Sequence, residues 1–339
     1  MRTCMDKIIL LILGIALIGI TLIDIVWTTL WVNGRIGPLS GPVSRNVWRF
    51  IRKVTDGNST WMSLTGPFIL LMTLLMWISF LWVGWTLIFT IDPTAITDTI
   101  GGGDISLGER FYFVGYTLFT LGNGNYAPQE GGWQIITVLV SGMGMLFLTF
   151  GVSYILNIVN LVVQKRSFAT DITGLANSPE ELLEKGWNGE DFSRLNRLFI
   201  SISNDLSSLT QQHKAYPLMF YYLSTNSEEA FANSISILDE TITILKHGVN
   251  QDLDINPIFI ESIRASITSY INNSKKVYNI EKIEEGLPDP NFEKLGEIGF
   301  PLIKADKYLE EIDGLTERRR LLAGLLQANR EVSIGENDK

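Results

Sequence analysis

Along the chain, apolar residues gather into three long runs, at residues 8–32, 61–91 and 131–163. Each exceeds the roughly 20 residues that a helix rising about 1.5 Å per residue needs to cross a hydrocarbon core. The second and third carry no charged residue and the first is interrupted only by Asp24. The pattern predicts three membrane-spanning helices, tilted or extending beyond the bilayer where they exceed its thickness. A fourth stretch, residues 109–126, is too short to span and has outside-type sequence on both sides. It has to enter and leave on one face, and a re-entrant segment is stable only against protein or a water-filled lumen. Beyond residue 164 the period becomes that of amphipathic helices: Phe192, Leu195, Leu198, Ile202, Leu206 and Leu209 form one apolar face. Ser178-Pro179-Glu180-Glu181 supplies an N-cap, a first-turn proline and a capping acid, with Gly186 as the stop. Further helices are expected from Ser227 to near Gly248, over 257–283 and over 316–331, with Leu287-Pro288-Asp289-Pro290 as a break. No strand pattern appears in this half. The predicted fold class is all-α, three transmembrane helices with a re-entrant pore loop plus a cytoplasmic helical bundle of about 150 residues, and the tail after residue 331 is expected to be loose.

Charge sets the orientation. The connection over residues 33–60 holds Arg35, Arg45, Arg49, Arg52 and Lys53, whereas that over 92–108 holds Asp92, Asp98 and Asp104 and no basic residue. Basic short loops stay inside, so the N-terminus is expected outside and the basic connection and C-terminal domain in the cytoplasm of a multi-pass cell-membrane protein. Arg2 and Lys7 before the first run also fit a cleaved signal peptide. Cleavage would leave five basic residues outside, so the span is expected to be retained. The expected divisions are a peripheral first helix (1–33), a basic amphipathic linker (34–60), a pore domain (61–163, with outer helix 61–91, pore helix and filter 109–126 and inner helix 131–163) and a helical domain (164–339).

Of the 339 residues, 27 are basic and 36 acidic; residues 164–339 hold 19 of the former and 28 of the latter, so the net charge of −9 resides there. An acidic cytoplasmic body argues against nucleic acid and concentrates cations beneath a pore. Cys4, the single cysteine, excludes an intrachain disulfide. His213 and His247 are the two imidazoles, expected as lone surface residues, and no phosphate loop or dinucleotide fingerprint occurs. No cofactor, no metal site and no enzyme activity are expected, and the ligand of the domain is left unassigned. Arg318-Arg319-Arg320 reads as a solvated helix face or an acid-pairing site.

The re-entrant stretch contains Thr120-Leu121-Gly122-Asn123-Gly124-Asn125. To aim successive carbonyls at one axis a chain alternates between right- and left-handed conformations, which glycine adopts at least cost. Thr120 adds a hydroxyl oxygen, and an aromatic-rich helix over 110–120 would point its partially negative end at a cation. On these residues, GYTLFTLGNGNYAP over 115–128 resembles the pore loop and filter of the potassium-channel superfamily, whose usual pattern is T-V-G-Y-G-D. Thr120, Gly122 and Gly124 match. The resemblance covers residues 60–163. It implies an aromatic cuff behind the filter at Tyr112, Phe113 and Tyr116, a bending glycine at Gly144 with Gly142 close by, and four chains around one axis. Asn123 stands where the family has the bracing tyrosine and Asn125 where it has an acid. Asn123 is expected not to reach the cuff, which leaves conduction of potassium and sodium both open; Glu130 and the acidic loop partly replace the missing outer charge.

Ser141, Met145, Thr149, Ser153, Asn157 and Asn160 recur at three- and four-residue steps on the third run and are expected to line the lumen. Their alternative role is to bond neighbouring helices. One loop cannot enclose an ion, so a homotetramer is expected. No span carries regularly spaced arginines, which excludes the familiar voltage sensor. Val43, Val47, Ile51 and Val54 alternate with Arg45, Arg49, Arg52 and Lys53 in an amphipathic pattern bordered by Trp48 and Phe50. It resembles the interfacial helix of inward-rectifier-type channels and is expected to touch membrane lipids, anionic headgroups in particular. Asp24 is expected to meet a basic residue of that connection. The function expected is a tetrameric cation channel gated by bending of its third helix, and the second reading is a membrane-anchored helical interaction protein with a vestigial loop.

Overall fold

The structure is a computed structural model, and it describes residues 4–31, 36–55, 59–249, 256–275 and 286–333. Arg35, the C-terminal part of the helix expected over 257–283 and the tail beyond 333 lie outside the described residues. The helices are α1 Cys4–Thr29, α2 Ser40–Thr55, α3 Ser59–Ser63, α4 Thr65–Phe89, α5 Leu107–Leu118, α6 Gly132–Thr173, α7 Pro179–Gly186, α8 Ser193–Ala215, α9 Phe231–His247, α10 Pro257–Ser274, α11 Phe292–Ile298, α12 Ala305–Glu311 and α13 Thr316–Ser333. Two three-residue strands, β1 Ile96–Asp98 and β2 Tyr126–Pro128, pair antiparallel. The fold is all-α as expected, and α1, α4 and α6 are long and apolar enough to cross a membrane. The chain divides into two compact units, residues 1–31, 35–46 and 68–158 in the first and 32–34, 47–67 and 159–339 in the second. The expected linker, 34–60, is shared between them.

In the first unit, α1 and α4 meet at glycines. A Cβ on Gly14 would lie 2.8 Å from the Gly84 carbonyl oxygen, and one on Gly84 would lie 2.7 Å from Ile18. Small residues let two membrane helices approach closely enough for dispersion to hold them. Further along α1, Asp24 is fully buried. Its carboxylate does not meet a basic side chain as the sequence suggested. It accepts the Leu39 N–H at 2.7 Å, the Ser40 N–H and hydroxyl, and the Trp77 indole N–H at 2.6 Å. An anion at a helix start satisfies orphan N–H groups and the positive end of the dipole together, so Asp24 ties α1, the start of α2 and α4 at one point. Gly37 leaves room for it, since a Cβ there would fall 2.1 Å from Asp24 Oδ1.

In the second unit a core runs from Phe168 through α7–α13. Trp48 and Ile51 of α2 pack against it, with Trp48 stacked obliquely 5.7 Å from Tyr221. The apolar face expected to lie on lipid is thus divided: these two cover protein, while Phe50 and Val54 are 66% and 65% exposed beside exposed Arg45, Arg49, Arg52 and Lys53. Ser178 caps α7 through the Glu181 N–H as the sequence predicts. His213 departs from expectation. It is fully buried, not a surface histidine, and sits among Phe220, Phe231 and Tyr270 with ring centroids at 5.2 Å from each. His247 is half-buried against Glu311 at 3.8 Å.

The arginine triplet is an acid-pairing site for two of its members. Asp239 on α9, 1% exposed, accepts Arg318 from α13 at 2.7 and 2.9 Å and Arg264 from α10 at 3.0 Å. Arg319 reaches Glu240, Asp289 and the Pro288 carbonyl. Removing one partner of a buried ionic cluster strands the others without water, whereas an exposed pair is nearly neutral. Asp239→Ala is therefore expected to destabilise the second unit by about 3–5 kcal/mol and Lys185→Ala, which breaks an exposed pair with Glu181, by under about 1 kcal/mol, compared by chemical denaturation of the two variants.

Candidate functional site

The first unit is organised around the turn that follows α5. Ser106 opens α5 with a reciprocal capping box, its hydroxyl accepting the Glu109 N–H while Glu109 accepts the Ser106 N–H. Arg110 is buried beside that start and donates to the carbonyls of Phe89, Asp92 and Pro93 at 2.5, 3.0 and 2.7 Å. The first is an acceptor at the C-terminal end of α4 and the other two belong to the turn that follows it, where a cation complements exposed carbonyls. On the opposite side Trp82 of α4 stacks on Phe111 at 4.3 Å and donates its indole N–H to the Phe111 carbonyl at 2.7 Å. Gly115 makes this fit possible, since a Cβ there would lie 2.4 Å from Trp82. Sequence reasoning passed over Arg110 and Trp82. Arg110 carried a signal, being the one basic residue between Lys53 and Lys165 and so, where it is buried, an ion that needs acceptors.

After α5 the backbone is left-handed at every second residue: Thr120 has φ +58°, Gly122 +63° and Gly124 +77°. The glycines were expected to do this. Thr120 is β-branched and strained there, and strain of this kind persists where surrounding structure over-determines it. Thr120, Leu121, Gly122, Asn123, Gly124 and Asn125 are all exposed. Among the described residues, no group donates a hydrogen bond to the carbonyl oxygens of Thr120, Leu121, Gly122 or Asn123. The turn is fixed instead by what lies behind it. Leu121 donates its N–H to the Tyr116 carbonyl at 2.8 Å. The Thr99 hydroxyl bonds the carbonyls of Gly124 and Asn125, both at 2.9 Å, and β1 holds β2 with Ile96 opposite Pro128 and Asp98 opposite Tyr126.

Tyr112, Phe113 and Tyr116 form one aromatic group, with Tyr116 centred 5.4 Å from Tyr112 and 5.3 Å from Phe113. The Tyr116 hydroxyl donates to the Tyr126 carbonyl, and the Tyr126 hydroxyl to Glu109 at 3.0 Å. Asn123 does reach this group, contrary to expectation: its amide donates to the Tyr112 hydroxyl at 2.5 Å. The short side chain suffices because Tyr112 extends to meet it. At the outer end Asp98 accepts the N–H groups of Ile100 and Gly101, which hold its carboxyl below the usual carboxylate range.

α6 runs unbroken through Gly142 and Gly144 and continues to Thr173, ten residues past the expected end of the inner helix. Val140, Gly144, Gly151, Tyr154 and Ile158 form its buried face. Gly144 allows contact with the end of α5, for a Cβ there would fall 1.7 Å from the Leu118 carbonyl oxygen; at Gly142 a Cβ would meet nothing within 4 Å. Met145, Thr149, Ser153 and Asn160 are exposed, and Ser141 and Asn157 half-buried. The Thr149 hydroxyl bonds its own helix at the Met145 carbonyl, and the side chains of Ser141, Ser153, Asn157 and Asn160 bond no described residue. A cavity of about 450 Å³, lined by Tyr116, Thr120, Gly122, Gly124, Thr137 and Ser141 among others, joins the turn to α6.

Residues 71–160, from α4 through α5 and the turn into α6, match a family described as ion channel. The uncharacterized membrane protein YdjJ of Bacillus subtilis (strain 168) is 36% identical over 318 residues, 94% of this chain and 93% of that protein. The chain belongs to the same family as YdjJ, and its residues 71–160 form an ion-channel domain. Its pore domain is of the two-helix, potassium-channel-like kind, and the protein is a membrane protein. No solved structure matches it. The family match ends at residue 160, whereas the likeness to YdjJ takes in the helical unit as well.

The two glycines on α6 separate packing from helix propensity. Gly144→Ala is expected to displace the end of α5 and lower the thermal midpoint in detergent, as overpacking by one methyl costs roughly 1–3 kcal/mol. Gly142→Ala, with open space and a gain of about 0.5–1 kcal/mol in helix propensity, is expected to leave the midpoint unchanged or raised.

Proposed function

We propose that the chain is a subunit of a homotetrameric cation channel of the cell membrane whose filter is the backbone from Thr120 to Gly124. The observation that carries this reading is the row of carbonyls from Thr120 to Asn123 that no donor satisfies among the described residues, on a backbone of alternating hand, between two apolar helices. A polar group left unpaired in a low-dielectric setting costs several kcal/mol. Ions shed their water to such oxygens when the oxygens converge, and one chain supplies only one side of the ring. The exposure of α6 supports assembly: 17% of its most apolar stretch is buried within the chain, against 39% for α4. Ser141, Met145, Thr149, Ser153, Asn157 and Asn160 then line the inner lumen, and Gly142 and Gly144 are the sites at which α6 bends to gate it. Positive-inside charge puts the helical unit in the cytoplasm and the N-terminus outside. Phe50, Val54 and the basic residues of α2 face the inner leaflet. The function is transport without covalent chemistry.

The bond between Asn123 and Tyr112 supports partial potassium selectivity, since a filter discriminates through how firmly its carbonyls are held. Purified protein in liposomes is expected to pass thallium. Gly122→Asp, which places a side chain on a left-handed residue of the filter, is expected to abolish flux while the tetramer persists on size-exclusion chromatography. Flux through that variant, or none through a verified wild-type tetramer, contradicts the filter. Tyr112→Phe removes the hydroxyl alone and is expected to move the bi-ionic potassium–sodium reversal potential toward zero; an unmoved potential removes Tyr112 from selectivity.

A further inference from the structure

Beyond residue 163 α6 leaves its apolar span and enters the helical body, where Phe168 and Ile172 join the core and Lys165 is a buried amine. Lys165 is 7% exposed. Its side-chain nitrogen donates to the carbonyls of Met219 and Tyr222 at 3.1 and 2.9 Å, at the end of the 3₁₀ turn Pro217–Tyr221. No carboxylate pairs with it among the described residues. The acid lining its small cavity, of about 10 Å³, is Glu229, which faces Arg166 at 3.6 Å and accepts the Ser224 hydroxyl at 3.3 Å. A charge buried against neutral dipoles alone is disfavoured relative to the same charge in water. Two backbone acceptors nevertheless suit an amine in either protonation state.

We propose that Lys165 is a proton-operated latch on the inner helix: neutral, its amine docks the turn of α6 around residue 165 onto the Met219 and Tyr222 carbonyls, and protonated it withdraws to water and releases that turn. Burial, with Arg166 beside it, pushes the docked amine down from 10.5 to about 7. Three groups facing it are moved out of the interval between these values. Burial pushes the His213 imidazole on α8 down to about 3, so it is neutral there, and pushes the Tyr222 hydroxyl up to about 12 and that of Tyr270 on α10 still higher. Arg166 and Glu229 face each other, and Gln164 bonds Gln212 at 3.1 Å. The sign follows from proton counting. Between about pH 7 and 10.5 the docked state holds one proton fewer than the released state, so docking strengthens as pH rises, by up to tenfold per unit. Below about pH 7 both states are protonated and the dependence ends. Because α6 is one continuous helix from residue 132 to 173, release frees the base of the segment carrying Ser153, Asn157 and Asn160. The consequence for conduction rests on the channel reading; the latch itself does not.

The test is amide hydrogen exchange of residues 165–173 and 217–224 in the full-length protein in lipid nanodiscs, corrected for the intrinsic pH dependence of exchange. The open fraction of these segments is expected to fall about tenfold per unit from pH 7.5 to 9.5. In Lys165→Met the dependence disappears with the segments protected throughout, and Lys165→Gln, a polar neutral replacement, also loses it. A wild-type profile flat with pH, or the same slope in both variants, overturns the latch. Thallium flux at the same pH values separates the two readings. Flux that changes together with exchange supports gating by Lys165, pH-independent flux with pH-dependent exchange overturns that gating, and no flux at any pH with pH-dependent exchange overturns conduction while the latch stands.

Discussion

A backbone carbonyl shut away from water has to find a donor or an ion, and four in succession, from Thr120 to Asn123, find no donor among the described residues. Much of the first unit follows from holding that backbone in place. Left-handed residues at 120, 122 and 124 set the direction of the chain. Behind them stand the Tyr112 hydroxyl on Asn123, the Thr99 hydroxyl on Gly124 and Asn125, and the short β1–β2 pairing. Further back, Arg110 and Trp82 fix α5 on α4, and Gly144 lets α6 close against the end of α5. A strained threonine is tolerable in this setting because each neighbour restrains it.

The features legible in the sequence were those with a period or a local rule. The three apolar helices, the short helix before the turn, the alternation at Gly122 and Gly124 and the Ser178 cap each depend on residues a few positions apart. The misreadings involve partners far apart in sequence or lengths that only geometry sets. The reach of Asn123 depends on Tyr112 standing under two turns from the end of α5 with its hydroxyl at the right height. Asp24 looked like half of an ion pair, yet the positive end of α2 and the Trp77 indole satisfy it. Gly144 fell at the position of a hinge and also makes a close contact. The β1–β2 pair is too short to show alternation. The burial of His213 depends on aromatics from three other segments, which no spacing near residue 213 announces.

Buried ionisable groups recur where elements join: Asp24 at the start of α2, Arg110 at the end of α4, Lys165 at the base of α6 and Asp239 between α9, α10 and α13. Such groups contribute little net stability when satisfied and cost much when stranded. They therefore specify which ends meet rather than holding the core together, a task left to Phe168, Phe199, Leu206, Ile235 and their neighbours. Three of the four satisfy or use backbone groups at helix or turn ends, the one place in an apolar environment where backbone offers a full complement to an ion.

The central claim is that the free carbonyls of Thr120 to Asn123 meet their counterparts from other copies around an ion. The most direct measurement is a single-particle map of the protein purified in potassium and reconstituted in lipid. The account predicts a four-fold assembly with density on the axis between these carbonyls, lost when Gly122 is replaced by Asp. A particle in which the turns lie apart from one another, or a four-fold particle whose axis is empty and whose carbonyls turn into protein, would contradict it.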